Sequence, residues 1–221
     1  MGQLTRLLSL TADQNALQTV PPALLALPAL RLLSLRKNKL QEPDGRPLDL
    51  SRLRDATFVD FRENQLAFAP SPLPPQAAIS QLYLGNNKIR HLPADAAAWF
   101  ASLARSVTEL DLQGNGLEKM PVEVGLCQRL KAVDIQNNEL RDVPFTLGYL
   151  PELHRVSIEG NPLRSLRRTL FSAPISELKA FLRTRGDPPA WLLAVEDGKG
   201  GCVRCGWAVL MGHSKKASTN D

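Results

Sequence analysis

The chain has 221 residues, of which 43% are hydrophobic, and it carries a formal net charge of +5 at pH 7. Three cysteines are too few for a disulfide framework, and the most apolar run, residues 20–35, contains three prolines and Arg31, which excludes a membrane-spanning helix. Residues 1–161 contain 17 Lys+Arg and 17 Asp+Glu, so we expect no phosphate-binding surface there and no nucleic-acid partner.

Seven segments of the chain follow one template, with apolar residues at positions 1, 4, 6 and 11 and asparagine at position 9. Apolar and polar residues alternate at the start of each segment, and this alternation predicts a short strand. The first and third copies match the template less well than the others. In chain order the segments are residues 7–17, 30–40, 56–66, 79–89, 107–117, 130–140 and 153–163.

The position-9 asparagines recur 23 to 28 residues apart, which is typical of a repeat architecture. They are Asn15, Asn38, Asn64, Asn87, Asn115, Asn138 and Asn161. Each amide has two donors and an acceptor that can satisfy backbone groups of its own repeat and of the adjacent one. Because an unsatisfied buried polar group costs about 1–3 kcal/mol, we interpret these asparagines as a structural ladder that sets the register of the repeats.

The template resembles the L-x-x-L-x-L-x-x-N-x-L unit of leucine-rich repeat proteins over about residues 4–163. One repeat cannot bury its apolar edge alone, so neighbouring repeats must stack. The resemblance implies an α/β solenoid with about seven parallel strands on its concave face and irregular or helical segments on its convex side. The repeats begin at Leu4 without an amphipathic cap, so we expect either the tail of a longer array or a truncated gene model.

The second half of each repeat is expected to form the convex side. Residues 121–130 and 144–153 share a proline-led pattern that resembles the 23-residue type of intracellular leucine-rich repeat proteins. Cys127 occupies a slot that is apolar in other repeats, and we interpret it as a small core residue.

Two longer convex segments have their own signals. Residues 93–106 are predicted to form a helix, because Trp99, Phe100 and Leu103 recur at helical spacing. Residues 70–75 have P-x-x-P character, which fits either a ligand of a polyproline-binding domain or an extended segment of the convex side.

Residues 159–186 resemble the end of the repeat array in leucine-rich repeat-containing protein 40 and its relatives, where a G-N-P-x-R-x-x-R-R stretch leads into a helix. We expect a C-terminal capping helix with Ser172 as its cap, Pro174 in its first turn and Gly186 at its end. Its apolar face comprises Leu178, Phe181 and Leu182. The basic residues around it, interpreted as a solvated helix face, are Arg164, Arg167, Arg168, Lys179, Arg183 and Arg185.

The predicted organisation is therefore residues 1–163 as repeats, 164–186 as the cap and 187–221 as a disordered tail or the product of a mis-spliced gene model. The tail contains one C-x-x-C pair, Cys202 and Cys205. A structural zinc site requires four ligands, so this pair alone is a weak signal for metal or redox chemistry.

The candidate interaction surface follows from strand alternation, because positions 3, 5, 7 and 8 of the template should point away from the core. Aromatic residues beside charges are common anchors of protein interfaces. The protein-binding residues that we predict on this basis are Phe58, Asp60, Arg62, Tyr83, Asp111 and Asp134.

Two functions remain open from the sequence. The first is a protein–protein interaction scaffold or adaptor that binds its partner on the concave face. The alternative is a redox- or zinc-linked regulator that acts through Cys202 and Cys205. The sequence contains no H-E-x-x-H, G-x-S-x-G or P-loop motif, so we predict no enzymatic activity and no cofactor. The start of the chain lacks the layout of a signal peptide, and we predict a cytoplasmic location.

Overall fold

The computed structural model describes residues 4–42, 45–74 and 76–193. Within these residues, seven three-residue strands form one sheet, and each strand pairs in parallel with the strand of the next repeat. The strands are β1 (Ser9–Thr11), β2 (Leu32–Ser34), β3 (Phe58–Asp60), β4 (Gln81–Tyr83), β5 (Glu109–Asp111), β6 (Ala132–Asp134) and β7 (Arg155–Ser157). The predicted sheet of seven parallel strands is confirmed, and each repeat is one coil of a solenoid.

The core lies directly beneath the sheet, and every coil contributes equivalent positions to it. In the second coil these positions are Leu30, Leu33, Leu35 and Leu40, all of which are at most 1% exposed. Full burial of one leucine side chain stabilises the folded chain by about 1.5–3 kcal/mol. Because the coils bury equivalent positions, one continuous core extends from Val20 to Leu182.

The position-9 asparagines lie where each strand turns into the interior. The Oδ1 atom of Asn138 accepts a hydrogen bond from the Leu117 N–H of the preceding coil at 3.0 Å. Its Nδ2 atom donates to the carbonyls of Leu112, also in the preceding coil, and of Ile135 at 2.9 and 3.1 Å. Equivalent bonds connect consecutive coils at Asn38, Asn64, Asn87, Asn115 and Asn161.

Asn15 differs from the other members of the ladder. It is exposed, and its Nδ2 atom donates to the Ala12 and Asp13 carbonyls of its own coil. Among the residues that the structure describes, no earlier coil precedes it. Asn15 therefore stabilises only its own turn, whereas the other six asparagines also join one coil to another.

The residue just before each asparagine, at position 8, adopts the left-handed backbone conformation in all seven coils. The φ angles lie between 52° and 72° at Gln14, Lys37, Glu63, Asn86, Gly114, Asn137 and Gly160. Glycine and asparagine tolerate this conformation better than other residues, and four of the seven positions carry one of them. The turn into the core therefore requires a left-handed backbone at position 8, a position that the template does not specify.

The convex side contains short helices that differ between coils. Helix α1 is Pro22–Leu25 and helix α2 is Ala96–Leu103. The Asp95 side chain accepts a hydrogen bond from the Ala98 N–H at 2.9 Å and so caps α2. Trp99 and Phe100 are at most 1% exposed, which confirms the predicted helix and its buried side.

Residues 70–74 form an extended segment that packs against α2. The Trp99 indole N–H donates to the Pro70 carbonyl at 2.9 Å, and the Leu73 N–H donates to Ser102 Oγ at 3.0 Å. Leu73 is only 6% exposed. The structure therefore supports the second of the two alternatives for this segment, an extended part of the convex side.

The two proline-led segments form 3-10 helices, Val122–Leu126 and Phe145–Tyr149. Cys127 follows the first of them and is fully buried. Burial raises the pKa of its thiol to about 12, so the thiol stays protonated at neutral pH. Cys127 is a core residue, as predicted.

The capping helix α3 is Ile175–Arg183, and its Leu178 and Leu182 side chains are buried. Three details of the predicted cap are wrong. Pro174 directly precedes the helix, and no side chain caps its first turn, so Ser172 is not the cap. The helix ends at Arg183, and Gly186 instead accepts a hydrogen bond from the Tyr149 hydroxyl at 2.9 Å.

The interpretation of the basic residues at the cap as a solvated face is also incomplete. Lys179 Nζ donates to the Leu150 carbonyl at 2.5 Å, and Arg183 Nε donates to the Gly148 carbonyl at 2.8 Å. Burial, followed by the neighbouring Arg183 charge, lowers the pKa of Lys179. These two cations connect α3 to carbonyls at the C-terminal end of the 3-10 helix Phe145–Tyr149.

Two further short helices flank α3. A short 3-10 helix, Arg168–Leu170, precedes α3, and helix α4, Ala190–Leu193, follows it. Leu192 is 6% exposed. The disorder of residues 187–221 stays a prediction. Residues 194–221, with Cys202 and Cys205, lie outside the described residues. None of the described helices has both the length and the apolar character needed to cross a membrane.

We expect Asn138→Ala to lower the free energy of unfolding by about 1–3 kcal/mol, because it leaves buried backbone groups of two coils without partners. Asn15→Ala is the matched control at the same template position, and its effect should stay within about 0.5 kcal/mol. Urea melts of both variants measure the difference. Equal midpoints for the two variants would contradict the role of the ladder between coils.

We expect Gly114→Ala to destabilise the protein by about 1–2 kcal/mol, because position 8 requires a left-handed backbone. The φ angle of Gly114 is +62°, and an added Cβ would lie 2.2 Å from Asn86 Oδ1. Gly116→Ala is the control in the same turn, since its added Cβ would lie 3.3 Å from the flexible Arg90 side chain. Thermal unfolding of both variants tests this, and comparable losses would refute the explanation.

Candidate functional site

The concave face is the face of the sheet on which positions 3, 5 and 7 of the coils lie. Near its centre is a depression of roughly 330 Å³. Five of the six predicted protein-binding residues line it, namely Phe58, Arg62, Tyr83, Asp111 and Asp134. The sixth, Asp60, is 3% exposed and lies against Arg62 rather than in the lining.

The register of the sheet places these residues side by side. Asp60 pairs with Tyr83, Tyr83 with Asp111, and Asp111 with Asp134 across adjacent strands. Neighbouring strands lie about 4.8 Å apart, so position 5 forms a row across β3, β4, β5 and β6. We call these four residues the position-5 row.

An aromatic pair forms one side of the depression. The ring centroids of Phe58 and Tyr83 are 5.4 Å apart with an interplanar angle of 56°. The Tyr83 hydroxyl donates to Glu109 Oε2 at 2.6 Å. Burial, followed by this hydrogen bond to a carboxylate, raises the pKa of Tyr83 to about 12. Tyr83 therefore stays a neutral donor at physiological pH.

Arg62 is held in place by Asp60. The Asp60 Oδ1 atom accepts from the Arg62 backbone N–H at 2.9 Å, and Arg62 Nη2 lies 2.5 Å from Asp60 Oδ2. The guanidinium carbon lies 4.6 Å from the centroid of the Tyr83 ring, within the range of a cation–π interaction. The hydrogen bond to Asp60 raises the pKa of Arg62, and Arg62 lines the depression.

Asp111 and Asp134 lie on the side of Tyr83 opposite to Arg62. Each accepts a hydrogen bond at Oδ1 from the backbone N–H two residues later, of Gln113 at 2.9 Å and of Gln136 at 3.1 Å. Among the described residues, neither carboxylate forms an ion pair. Burial raises the pKa of both, and the Asp134 charge raises that of Asp111 further.

Two charged lining residues were missed by the prediction. Glu109 and Arg155 both occupy position 3, on β5 and β7, and both line the depression. The sequence could have indicated both residues through their template position, since Phe58 was predicted to bind protein at the same position 3. Arg36, at position 7 of the second coil, instead pairs with Glu63 at 2.5 Å and is not part of the lining.

The described residues contain no group of three or more His, Cys, Asp or Glu side chains arranged to hold a metal ion. Asp111 and Asp134, two carboxylates beside the Tyr83 ring without an ion pair in the described part of the chain, are instead suited to contact with a positively charged group.

Comparisons with known proteins agree with this architecture. Residues 98–179 match the family described as "Leucine-rich repeat and WD repeat-containing protein 1, LRR". Keratocan of Homo sapiens is 32% identical over 114 residues, which cover 51% of this chain and 31% of keratocan. Serine/threonine-protein kinase 11-interacting protein of Homo sapiens is 34% identical over 112 residues, which cover 51% of this chain and 10% of that protein.

Solved structures show the same fold. The leucine-rich repeat ectodomain of the plant membrane receptor kinase GASSHO1/SCHENGEN3 from Arabidopsis thaliana superimposes with a TM-score of 0.61 at 22% sequence identity. The match covers 79% of this chain and 21% of that one. The chain therefore has the leucine-rich repeat fold.

The narrower expectations from the sequence are not tested by the comparisons. The 23-residue intracellular type, the resemblance to the leucine-rich repeat-containing protein 40 group and the cytoplasmic location stay predictions. The chain aligns with less than a third of the length of keratocan, so the activities of the whole relatives do not transfer to it.

We expect Asp111→Asn to raise the free energy of unfolding at pH 7. The folded-state pKa of Asp111 is raised, so the folded protein binds the proton more tightly than the unfolded chain, and stability falls as pH rises through that folded pKa. Removing one of two like charges on adjacent strands should stabilise by about 0.2–1 kcal/mol, and the gain should vanish below about pH 4, near the unfolded pKa.

Urea melts at pH 7 and pH 3.5 measure this gain. Asp49→Asn is the control, because a hydrogen bond from Ser51 lowers the pKa of Asp49, so this substitution should bring no gain at pH 7. A lower free energy of unfolding for Asp111→Asn at pH 7 would contradict this prediction, because it would mean that the fold stabilises the Asp111 carboxylate.

Proposed function

We propose that this leucine-rich repeat protein is a non-enzymatic interaction scaffold that binds a protein partner on its concave face. The observation that carries the proposal is the central depression, where Phe58 and Tyr83 lie beside Arg62, Asp111 and Asp134. Depressions of similar size lie elsewhere on the described chain, and the concave one is distinguished by two adjacent aromatic rings beside charged groups of both signs.

The composition of the depression suits a protein interface. Aromatic and arginine side chains are enriched among the residues that contribute most to protein binding, and the depression contains Phe58, Tyr83 and Arg62. Core packing requires neither aromatic ring, because positions 3 and 5 lie on the outer face of the sheet. Position 3 elsewhere is occupied by Ala132 and Arg155.

The related structures provide independent support at the level of the fold. The GASSHO1/SCHENGEN3 ectodomain was solved in complex with Casparian strip integrity factor 2. That partner belongs to that receptor. It shows that a similar stack of repeats can present a surface to another protein, which is the role we propose here.

No observation favours the alternative of a redox- or zinc-linked regulator. Cys202 and Cys205 lie outside the described residues, and Cys127 is a buried thiol. We therefore propose only the scaffold function.

We expect Phe58→Ala/Tyr83→Ala to reduce recovery of the partner from the native cell by at least about tenfold, because truncating interface anchors costs 2 kcal/mol or more each. Quantitative affinity purification with the full chain measures the recovery. Gln128→Ala/Arg129→Ala is the matched control on the convex side, where Gln128 donates to the Gly125 carbonyl and Arg129 to the Arg105 carbonyl of the preceding coil.

The control should recover the partner at the wild-type level, and urea melts establish that both double variants are folded. If the concave variant is folded and keeps every partner, the concave face is not the binding site.

A further inference from the structure

The concave face contains three aspartates at position 5 with the same local geometry. In the third, fifth and sixth coils, the aspartate Oδ1 atom accepts from the backbone N–H at position 7, at 2.9, 2.9 and 3.1 Å. The residues are Asp60, Asp111 and Asp134. This shared hydrogen bond orients the three carboxylates alike, so the three coils can be compared directly.

The residue at position 7 makes the difference between these coils. In the third coil it is Arg62, whose guanidinium neutralises Asp60 and lies over the Tyr83 ring. In the fifth and sixth coils it is Gln113 and Gln136, and an amide side chain cannot neutralise a carboxylate. The third coil therefore supplies a guanidinium to its position-5 aspartate, whereas the fifth and sixth coils supply none to theirs.

The charges around Asp111 and Asp134 do not supply the missing cation. Glu109 accepts from Tyr83, and Glu159 accepts from Gln136 Nε2 at 2.5 Å. Arg155 lines the depression and lowers the pKa of Asp134, but it forms no ion pair with Asp134. At positions 3, 5 and 7 of the fifth to seventh coils, four acidic residues face one arginine.

We propose that the concave face over β4, β5 and β6 binds a protein segment through an arginine or lysine side chain placed between Asp111 and Asp134 and beside Tyr83. This inference rests on the proposed scaffold function and specifies its partner. Arg62 pairs with Asp60 and lies over the Tyr83 ring on the N-terminal side. The partner's cation would pair with Asp111 and Asp134 on the C-terminal side of the same ring.

Charge complementarity selects this occupant. The acidic half of the face repels phosphate groups, which argues against nucleic acid and anionic lipid as ligands. The chain as a whole carries a formal net charge of +5, so its overall charge does not attract a cationic segment. Attraction must come from this local surface, where burial strengthens a charge-assisted hydrogen bond.

The test uses the full chain and four pools of fluorescein-labelled nonapeptides. The central residue is Arg, Lys, Gln or Glu, and the other eight positions are randomised among Gly, Ser, Ala, Leu and Tyr. Fluorescence anisotropy should show that the Arg and Lys pools bind at least about tenfold more tightly than the Gln and Glu pools. The difference should shrink as salt rises, because the contact is electrostatic.

Asp111→Asn/Asp134→Asn should remove the preference for Arg and Lys, while it keeps the hydrogen bonds from position 7. Glu118→Gln/Glu139→Gln is the matched control, because it removes the same charge from two exposed residues that do not line the depression. Asp111→Lys/Asp134→Lys should reverse the preference toward the Glu pool. Urea melts confirm that each variant is folded.

The inference is overturned if the Gln pool binds as tightly as the Arg and Lys pools, if neither basic pool binds, or if the Asn variant keeps the preference. These results leave the scaffold proposal intact as long as Phe58→Ala/Tyr83→Ala still abolishes recovery of the native partner. Failure of that purification experiment, in contrast, rejects the concave face as a binding surface altogether.

Discussion

The hydrogen bonds of the position-9 asparagines determine the geometry on which the rest of the structure depends. Each amide connects the turn of its own coil to a position-11 N–H and a position-6 carbonyl of the coil before it, as at Asn138. These backbone groups are buried beside apolar side chains, so each lost bond costs about 1–3 kcal/mol. The ladder therefore holds successive coils at one register, and the strands pair residue for residue as a consequence.

Much of this fold could be predicted from the sequence, because the repeat itself carries the information. The recurrence of asparagine and leucine was sufficient for the seven strands, and helical spacing around Trp99 was sufficient for α2. The end of the solenoid was less predictable. Lys179 and Arg183 of α3 donate to carbonyls of the sixth coil, and Gly186 accepts from Tyr149. Those contacts depend on where α3 docks, which no local pattern encodes.

The candidate site was likewise predictable from the sequence only in part. Strand alternation placed Phe58, Tyr83 and Asp111 on one face, and the register brought them together. Alternation could not distinguish the charge states of equivalent aspartates. Asp60 is neutralised because the Arg62 side chain folds back onto it, and a side-chain conformation of this kind depends on the Tyr83 ring in the next coil. The sequence therefore predicts which residues share the face, and the structure shows which of them stay unpaired.

The concave face tolerates unpaired charge because the stability of the solenoid comes from other positions. Positions 1, 4, 6 and 11 form the core and position 9 forms the ladder, so positions 3, 5 and 7 are free to vary at a cost of only about 0.2–1 kcal/mol per like-charge pair. The N-terminal half of the face satisfies its own charges through the Arg36–Glu63 and Arg62–Asp60 pairs. The C-terminal half does not. A partner that supplies a cation therefore gains most by lying over β5 and β6, and the Tyr83 ring marks the boundary between the closed half of the face and the open one.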